Sequence, residues 1–343
     1  MRHKGVKSHE FITRQGNLNL AGRYYHCSCS NSKSISYLVS SGKKFSHIAN
    51  ELVTRYSASH SYKLASGYLR KDFHIHVSGE KLRTHILAVS GQIRRIRNSS
   101  DGKAKFKNLA DQKLYGYADG VLMNVRKEGW KECKLLRYEA EDGRDISHRG
   151  LLGPIDRFGR MVRREAVNVG AAEAEETVFL MDGAEGFHNH IRKNLPWARQ
   201  IVDYWHACQH IATCAEILHN GKQRAMDRWR SNYCHVLRYK GATNLIRRLR
   251  KSKARLADDK KKTAVEKLIG FLKRRRDRME YSDLLAGGYR IDSGPIESSC
   301  KNVIQARMKC PGMRWSRRGG SAMIEVRCAL LSYNWESLIK KSA

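Results

Sequence analysis

No stretch of this 343-residue chain approaches the roughly 20 consecutive apolar residues needed to span a bilayer, and the N-terminus, MRHKGVKSHEF, has no apolar core of a secretory leader. Membrane insertion and secretion are therefore not expected. Proline is scarce, at 4 residues, and apolar residues make up 41%, which is too much core-forming material for a disordered basic tail. Acidic residues are outnumbered two to one, 33 Asp and Glu against 66 Lys and Arg, leaving a formal charge of +33. That excess calls for a polyanionic partner. The nine cysteines are odd in number, scattered, and set in apolar or helical patterns, so they read as reduced thiols of an intracellular protein. Cys27 and Cys29 lack the matching downstream pair that a zinc ribbon needs. Internal repeats and low-complexity segments are absent.

At roughly 150 residues per domain the length suggests about two domains. Residues 1–40 carry a weak pattern and predict a loosely packed arm or a short hairpin. From 41 to about 105 the pattern is helical: Phe45, Ile48, Leu52 and Tyr56 fall on one helical face, and Ser61 and Ser78 can N-cap two further helices. Three short helices with a basic end suggest a helix-turn-helix-like DNA reader, and equally fit a small bundle with a solvated basic face. The polar stretch Asn98 to Lys107 reads as a linker.

Beyond it, Leu114–Val125 and Trp130–Tyr138 predict a β-hairpin, Ile155–Val169 a helix, Glu176–Asp182 a short strand, His188–Asn194 a helix and Arg199–Asp203 a buried strand. Strands alternating with helices give an α/β domain over 106–343. From about 207 to 286 the chain is almost wholly helical and basic. Residues 221–280 hold 21 Lys and Arg against 6 Asp and Glu, a net +15. Arg247, Arg248, Arg250, Lys251 and Lys253, and then Lys273, Arg274, Arg275 and Arg276, would repel one another on adjacent turns unless phosphates neutralise them. A nucleic-acid track follows.

Among so many bases, three acids stand at the ends or edges of elements: Asp119 in YGYADG, Asp182 in FLMDGAEG and Glu297 in SGPIESSCK. Taken singly, each has a plain structural reading, since Asp-Gly is a common turn dipeptide and a first-turn Glu complements a helix dipole. Jointly they supply hard carboxylate oxygens from a first sheet strand, a later strand and a C-terminal helix, the inventory of two-metal phosphoryl chemistry on an RNase H-like sheet. His206 and His210 sit at i, i+4, a spacing that binds zinc only with further ligands, and no third is at hand.

The sequence resembles the DDE transposases of bacterial insertion sequences, in particular the Kra-type group related to the Mutator-like superfamily. Four segments carry the resemblance: ADGVLMNVRKEGWKECKL, VFLMDGAEGF, IVDYWHACQHI and the long IDSGPIESSCKNVIQARMKCPGMRWSRRGGSAMIEVRCALLS. It implies an RNase H-like catalytic core with an all-α insertion before the catalytic Glu, and two Mg2+ ions, or Mn2+, held by Asp119, Asp182 and Glu297. It matches Asp203 and His206 to a Cys/Asp-x-x-His pair close to the metals or the DNA, and Arg314 and Trp315 to a basic-aromatic segment that stacks on a base or anchors the C-terminal helix. The implied activity is metal-dependent DNA cleavage and strand transfer at element ends, in the cytoplasm at the nucleoid, by at least a homodimer when two ends are synapsed. The partners are double-stranded DNA ends and target DNA. Two other readings stay open: a non-catalytic DNA-binding protein, and another RNase H-like nuclease.

Overall fold

The computed structural model describes residues 2–27, 30–34, 44–99 and 105–342. The chain starts with two 12-residue antiparallel strands, β1 (Arg2–Thr13) and β2 (Gly16–Cys27), followed by the short β3 (Ser30–Ser34). This hairpin is far longer than the sequence pattern suggested. Among its described apolar side chains only Phe11 and Ile12 are buried, and backbone pairing carries the rest. Ile12 ties it to the helices, accepting from Ser46 N and donating to Lys44 O, both at 2.8 Å. Gly16, at φ +123°, lies where a Cβ would meet the His74 carbonyl at 3.0 Å. Cys29 and the side chain of Cys27 lie outside the described residues, as do residues 100–104 of the expected linker.

Three helices follow, α1 (His47–Ser59), α2 (Tyr62–Phe73) and α3 (Gly79–Asn98). Ser46, Ser61 and Ser78 each accept a backbone N–H at the third following residue, which satisfies one orphan donor per helix start. The buried face of α1 differs from the one expected. It is the small-residue side, Ala49, Val53, Ser57 and Ala58, while Ile48 is 56% exposed. α3 does not stop at the helical region: its Ile86, Val89 and Ile93 enter the main core.

That core is built on a five-stranded mixed sheet of β4 (Lys113–Val125), β5 (Gly129–Ala140), β6 (Ile146–Leu151), β7 (Glu176–Met181) and β8 (Arg199–Val202). The strand order is β6-β5-β4-β7-β8, with β4–β5–β6 antiparallel and β4–β7–β8 parallel. Side chains alternate between its faces. Leu114, Ala118, Phe179 and Met181 pack beneath α4 (Ile155–Val169) and α5 (Glu185–Asn194). Tyr115, Tyr117, Val121, Val178 and Leu180 face the other way, toward α3 and the C-terminal helices.

After β8 come α6 (Tyr204–His219), α7 (Gln223–Lys253), α8 (Asp259–Arg275) and α9 (Tyr281–Ala286), the all-helical stretch expected between about 207 and 286. α7 is broken at Gly241, φ +75°, where a Cβ would sit 2.0 Å from Glu280 Oε2. The returning chain is tied to the sheet by Tyr281 Oη, which donates to Val202 O at 2.8 Å, and by Arg290, which reaches Tyr117 Oη and Glu139. It continues as α10 (Gly294–Ser299), a π-helical segment (Cys300–Gln305), α11 (Ala306–Met308), α12 (Arg317–Leu330) and α13 (Trp335–Lys341). Among the described residues no helix is long and apolar enough to cross a membrane.

Candidate functional site

Parallel pairing of β4 with β7 runs in register up to Ala118 opposite Met181. Asp119 and Asp182 are each the next residue along. Both belong to the face of Tyr117 and Leu180, because side chains alternate with period two. The two carboxylates thus stand side by side at one end of neighbouring strands. Asp119 Oδ1 accepts from Gly120 N at 2.6 Å, and Oδ2 accepts from Cys300 Sγ at 3.5 Å. Burial raises the Asp119 carboxyl above its ordinary range; the Asp182 charge pushes it the same way, against the two hydrogen bonds and the His206 ring. Asp182 is half-buried, and its Oδ1 accepts from Ala184 N at 3.0 Å.

The third acid arrives through Asp203. This residue is the N-cap of α6 and is 2% exposed. Its Oδ1 accepts from His206 N, and its Oδ2 accepts from Ser293 N across 90 residues of chain. Tyr204 N also donates to Ile291 O at 2.9 Å. The end of β8 is thereby stapled to the start of α10, whose first turn carries Glu297. Glu297 itself is exposed, and Cys300 one turn on is buried against Asp119. Burial and the Asp119 and Glu297 charges all push the Cys300 thiol far up, so it stays protonated.

None of Asp119, Asp182 and Glu297 pairs with a lysine or arginine among the described residues, although bases outnumber acids two to one. Neither do three His, Cys, Asp or Glu side chains gather there as a metal-ligand group. Asp119 and Asp182 are neighbours across the β4–β7 register, and Glu297 is exposed on α10.

Asp182 opens into a cleft of about 410 Å3 against α6 and α8, shared with His206, His210, Lys267, Phe271 and Arg274. His210 stacks on Phe271 with ring centroids 3.9 Å apart, and burial, aided by the His206 and Arg275 charges, lowers its pKa. His206 and His210 share a face, as their spacing indicated, with centroids 6.3 Å apart.

The basic residues named from the sequence divide. Arg247, Arg248, Arg250, Lys251, Lys273, Arg274, Arg276 and Arg314 are exposed. Lys253 is half-buried and pairs with Glu266 at 2.5 Å. Arg275 is turned inward instead: Nε donates to Gly183 O at 2.6 Å and Nη2 meets Glu185 at 3.0 Å, so it holds the loop after Asp182. Of the two roles open for Trp315, the geometry gives it the anchor. It is buried, its Nε1 donates to Met308 O at 3.2 Å, its backbone bonds to Asn124 and Arg126, and Arg307 covers its ring at 5.0 Å.

Cys300 and Lys267 were not singled out from the sequence. Cys300 lies at i+3 from Glu297, a spacing that puts both on one helical side and was available as a signal. Lys267 had none, being one lysine among many.

No family model matches this chain, and no curated protein matches it. Among solved structures, a pre-cleavage Mos1 transpososome aligns over 69% of this chain and 80% of that chain, at 8% identity and a TM-score of 0.20.

Proposed function

We propose that this chain is a DNA transposase of the insertion-sequence DDE type, cutting and joining phosphodiester bonds at a site built on Asp119, Asp182 and Glu297. The observation that carries the reading is the pair Asp119 and Asp182, placed side by side on neighbouring strands with no lysine or arginine ion-paired to either among the described residues, in a chain of charge +33. Carboxylates left unpaired among so many bases are suited to a cation that the chain does not itself supply. The strand order β6-β5-β4-β7-β8, with the first three strands antiparallel, is the arrangement an RNase H-like core requires and supports that finer fold assignment.

The donor set is hard oxygen, which fits Mg2+ or Mn2+, with Asp119 and Asp182 as the primary holders and Glu297 completing them. Bound there, divalent ions would activate the attacking oxygen and stabilise the leaving one. The chain's own contribution is positional. Asp203 fixes the backbone of His206 and the entry to α10. Arg275 holds the loop that carries Asp182. Lys267, Arg274 and His206 line the cleft in which a scissile phosphate would sit, and the exposed bases of α7 and α8 would track the duplex by phosphate neutralisation. Synapsis of two element ends would need at least two copies.

The test incubates purified protein with a labelled duplex from the element's end, with Mg2+ or Mn2+, and compares wild type with Asp182→Asn. The expected result is cleavage and joined product that vanish in the variant. Tight, salt-sensitive binding without any cutting, on a verified end and with either metal, would refute the catalytic reading in favour of a DNA-binding protein. Cutting without strand transfer would favour another nuclease.

A further inference from the structure

The +15 window is not the one place where bases converge. At the β6 edge of the sheet, α4, the β6–α4 turn, the end of α3 and the start of α12 enclose an open groove of about 490 Å3. Six arginines line it, Arg94, Arg149, Arg157, Arg160, Arg164 and Arg317, against the single carboxylate Glu325. Glu325 is already engaged by Arg97 at 3.2 Å and Arg94 at 3.8 Å. Arg149 is buried on Glu165, and Arg317 is paired with Glu128.

Arg157, Arg160 and Arg164 remain. They fall at i, i+3 and i+7, on one face of α4 and spread over about 10 Å of helix axis. All three are exposed, and among the described residues none has a carboxylate within ion-pair distance; Arg164 bonds only to neutral Asn98, at 2.8 Å. Like charges on adjacent turns oppose folding. A row of guanidinium forks at this spacing suits phosphate oxygens better than it suits water.

We infer that this arginine groove is a second DNA surface, one that takes the sugar-phosphate backbone of a duplex. The absence of aromatics decides between duplex and single strand. Single-strand tracks interleave bases with stacking rings, and the lining here offers Leu151, Leu152 and Met161 but no aromatic side chain. Contacts to backbone alone suit a paired helix whose bases are turned inward. Its place also fits. β6 is two strands from β4, roughly 10 Å at the usual spacing, on the side of Asp119 away from β7, β8 and the helical insertion. The carboxylates would lie between two phosphate-binding surfaces. This inference shares with the proposed function the premise that the partner is DNA, and does not depend on the carboxylate chemistry.

The experiment titrates a labelled duplex, and a single strand of equal length, with full-length protein by fluorescence anisotropy across a salt series. Wild type is compared with Arg157→Gln/Arg160→Gln/Arg164→Gln, and with single Arg157→Glu and Arg160→Glu, whose exposed and unpaired side chains leave the fold intact. The expected result is a duplex affinity at least about tenfold weaker for the triple variant, with a salt slope shallower by about 2–3, near 0.9 for each lost phosphate contact. The Glu variants should weaken duplex binding in the same direction. Wild-type affinity and slope in these variants would overturn the inference, as would equal loss on the single strand, or displacement of duplex by polyglutamate at matched charge. Asp182→Asn should retain the full slope, so loss of cutting and failure of the groove are separately read.

Discussion

The thiol of Cys300 donates to Asp119, with Sγ 3.5 Å from Oδ2, so the half-buried carboxylate on the central strand is held from the segment that follows the helix carrying Glu297. The contact links the two ends of the candidate site. It also shows why Asp119 is a burden to the fold, since one thiol and one amide are little compensation for a partly desolvated charge next to Asp182.

Asp119→Asn should therefore stabilise the protein while abolishing any metal-dependent cutting. The folded pKa of Asp119 is raised, so its contribution to stability is present below the unfolded carboxylate value and is lost as pH rises through the folded one. At pH 7 the variant should gain on the order of 0.5–2 kcal/mol, and at pH 3 the gain should disappear. Urea unfolding at the two pH values checks it; equal stability at pH 7 would contradict the burden.

Asp203 should behave in the opposite way. Replacing it by Ala removes the cap of α6, about 1 kcal/mol, and leaves the Ser293 amide without its acceptor in a buried setting, a further 1–3 kcal/mol. A loss of about 2–4 kcal/mol in denaturant unfolding is expected, with Asp203→Asn milder because one oxygen can still accept. Stabilisation by Asp203→Ala, the signature of a strained metal ligand, would assign the residue to the metal instead.

Much of this arrangement was legible in the sequence, and the exceptions share a cause. The runs Val178–Met181 and Ile201–Val202 are apolar and buried because they lie between covered sheet faces, and their strands read at once from the sequence. β6, ISHRGL, did not, because its buried positions are Ser147, His148 and Arg149, made tolerable by Glu165 and by Ser332. The length of the N-terminal hairpin, expected to be short if present, was not legible either, its strands being held by backbone pairing more than by apolar alternation. Charge counting located the basic insertion and could not tell inside from outside: Lys273, Arg274 and Arg276 face solvent, while Arg275 between them turns in. The staple from Asp203 to Ser293 spans 90 residues and leaves no local pattern at all.

Two buried histidines should make the fold acid-sensitive well above the carboxylate range. Burial lowers His148 to about 3, helped by the Arg137 charge, while its Nδ1 bonds to Leu331 O at 3.0 Å; burial likewise lowers His85 to about 4, beside Thr54 Oγ1 at 2.9 Å. Both folded values lie below the unfolded one near 6.5. Their stabilisation is complete above that pH and is lost as pH falls toward 3–4. Between pH 6.5 and 5 each should cost up to about 2 kcal/mol. Equilibrium unfolding over this range should show the decline, and His148→Gln should flatten it; a stability independent of pH between 7 and 5 would rule it out.

Neighbouring arginines on α8 should separate binding from folding. Arg274 is exposed and lines the cleft beside Asp182, so Arg274→Gln should weaken duplex binding and reduce the salt slope by about 0.9 while leaving the unfolding midpoint in place. Arg275 is buried and bonded to Gly183 O and Glu185, so Arg275→Gln should cost on the order of 1–3 kcal/mol and loosen the loop that carries Asp182. Cutting should then fall in Arg275→Gln more than binding does, and binding should fall in Arg274→Gln without loss of fold. If the two variants instead weaken DNA binding alike at unchanged stability, Arg275 reaches the phosphate itself and the inward contact does not persist in solution.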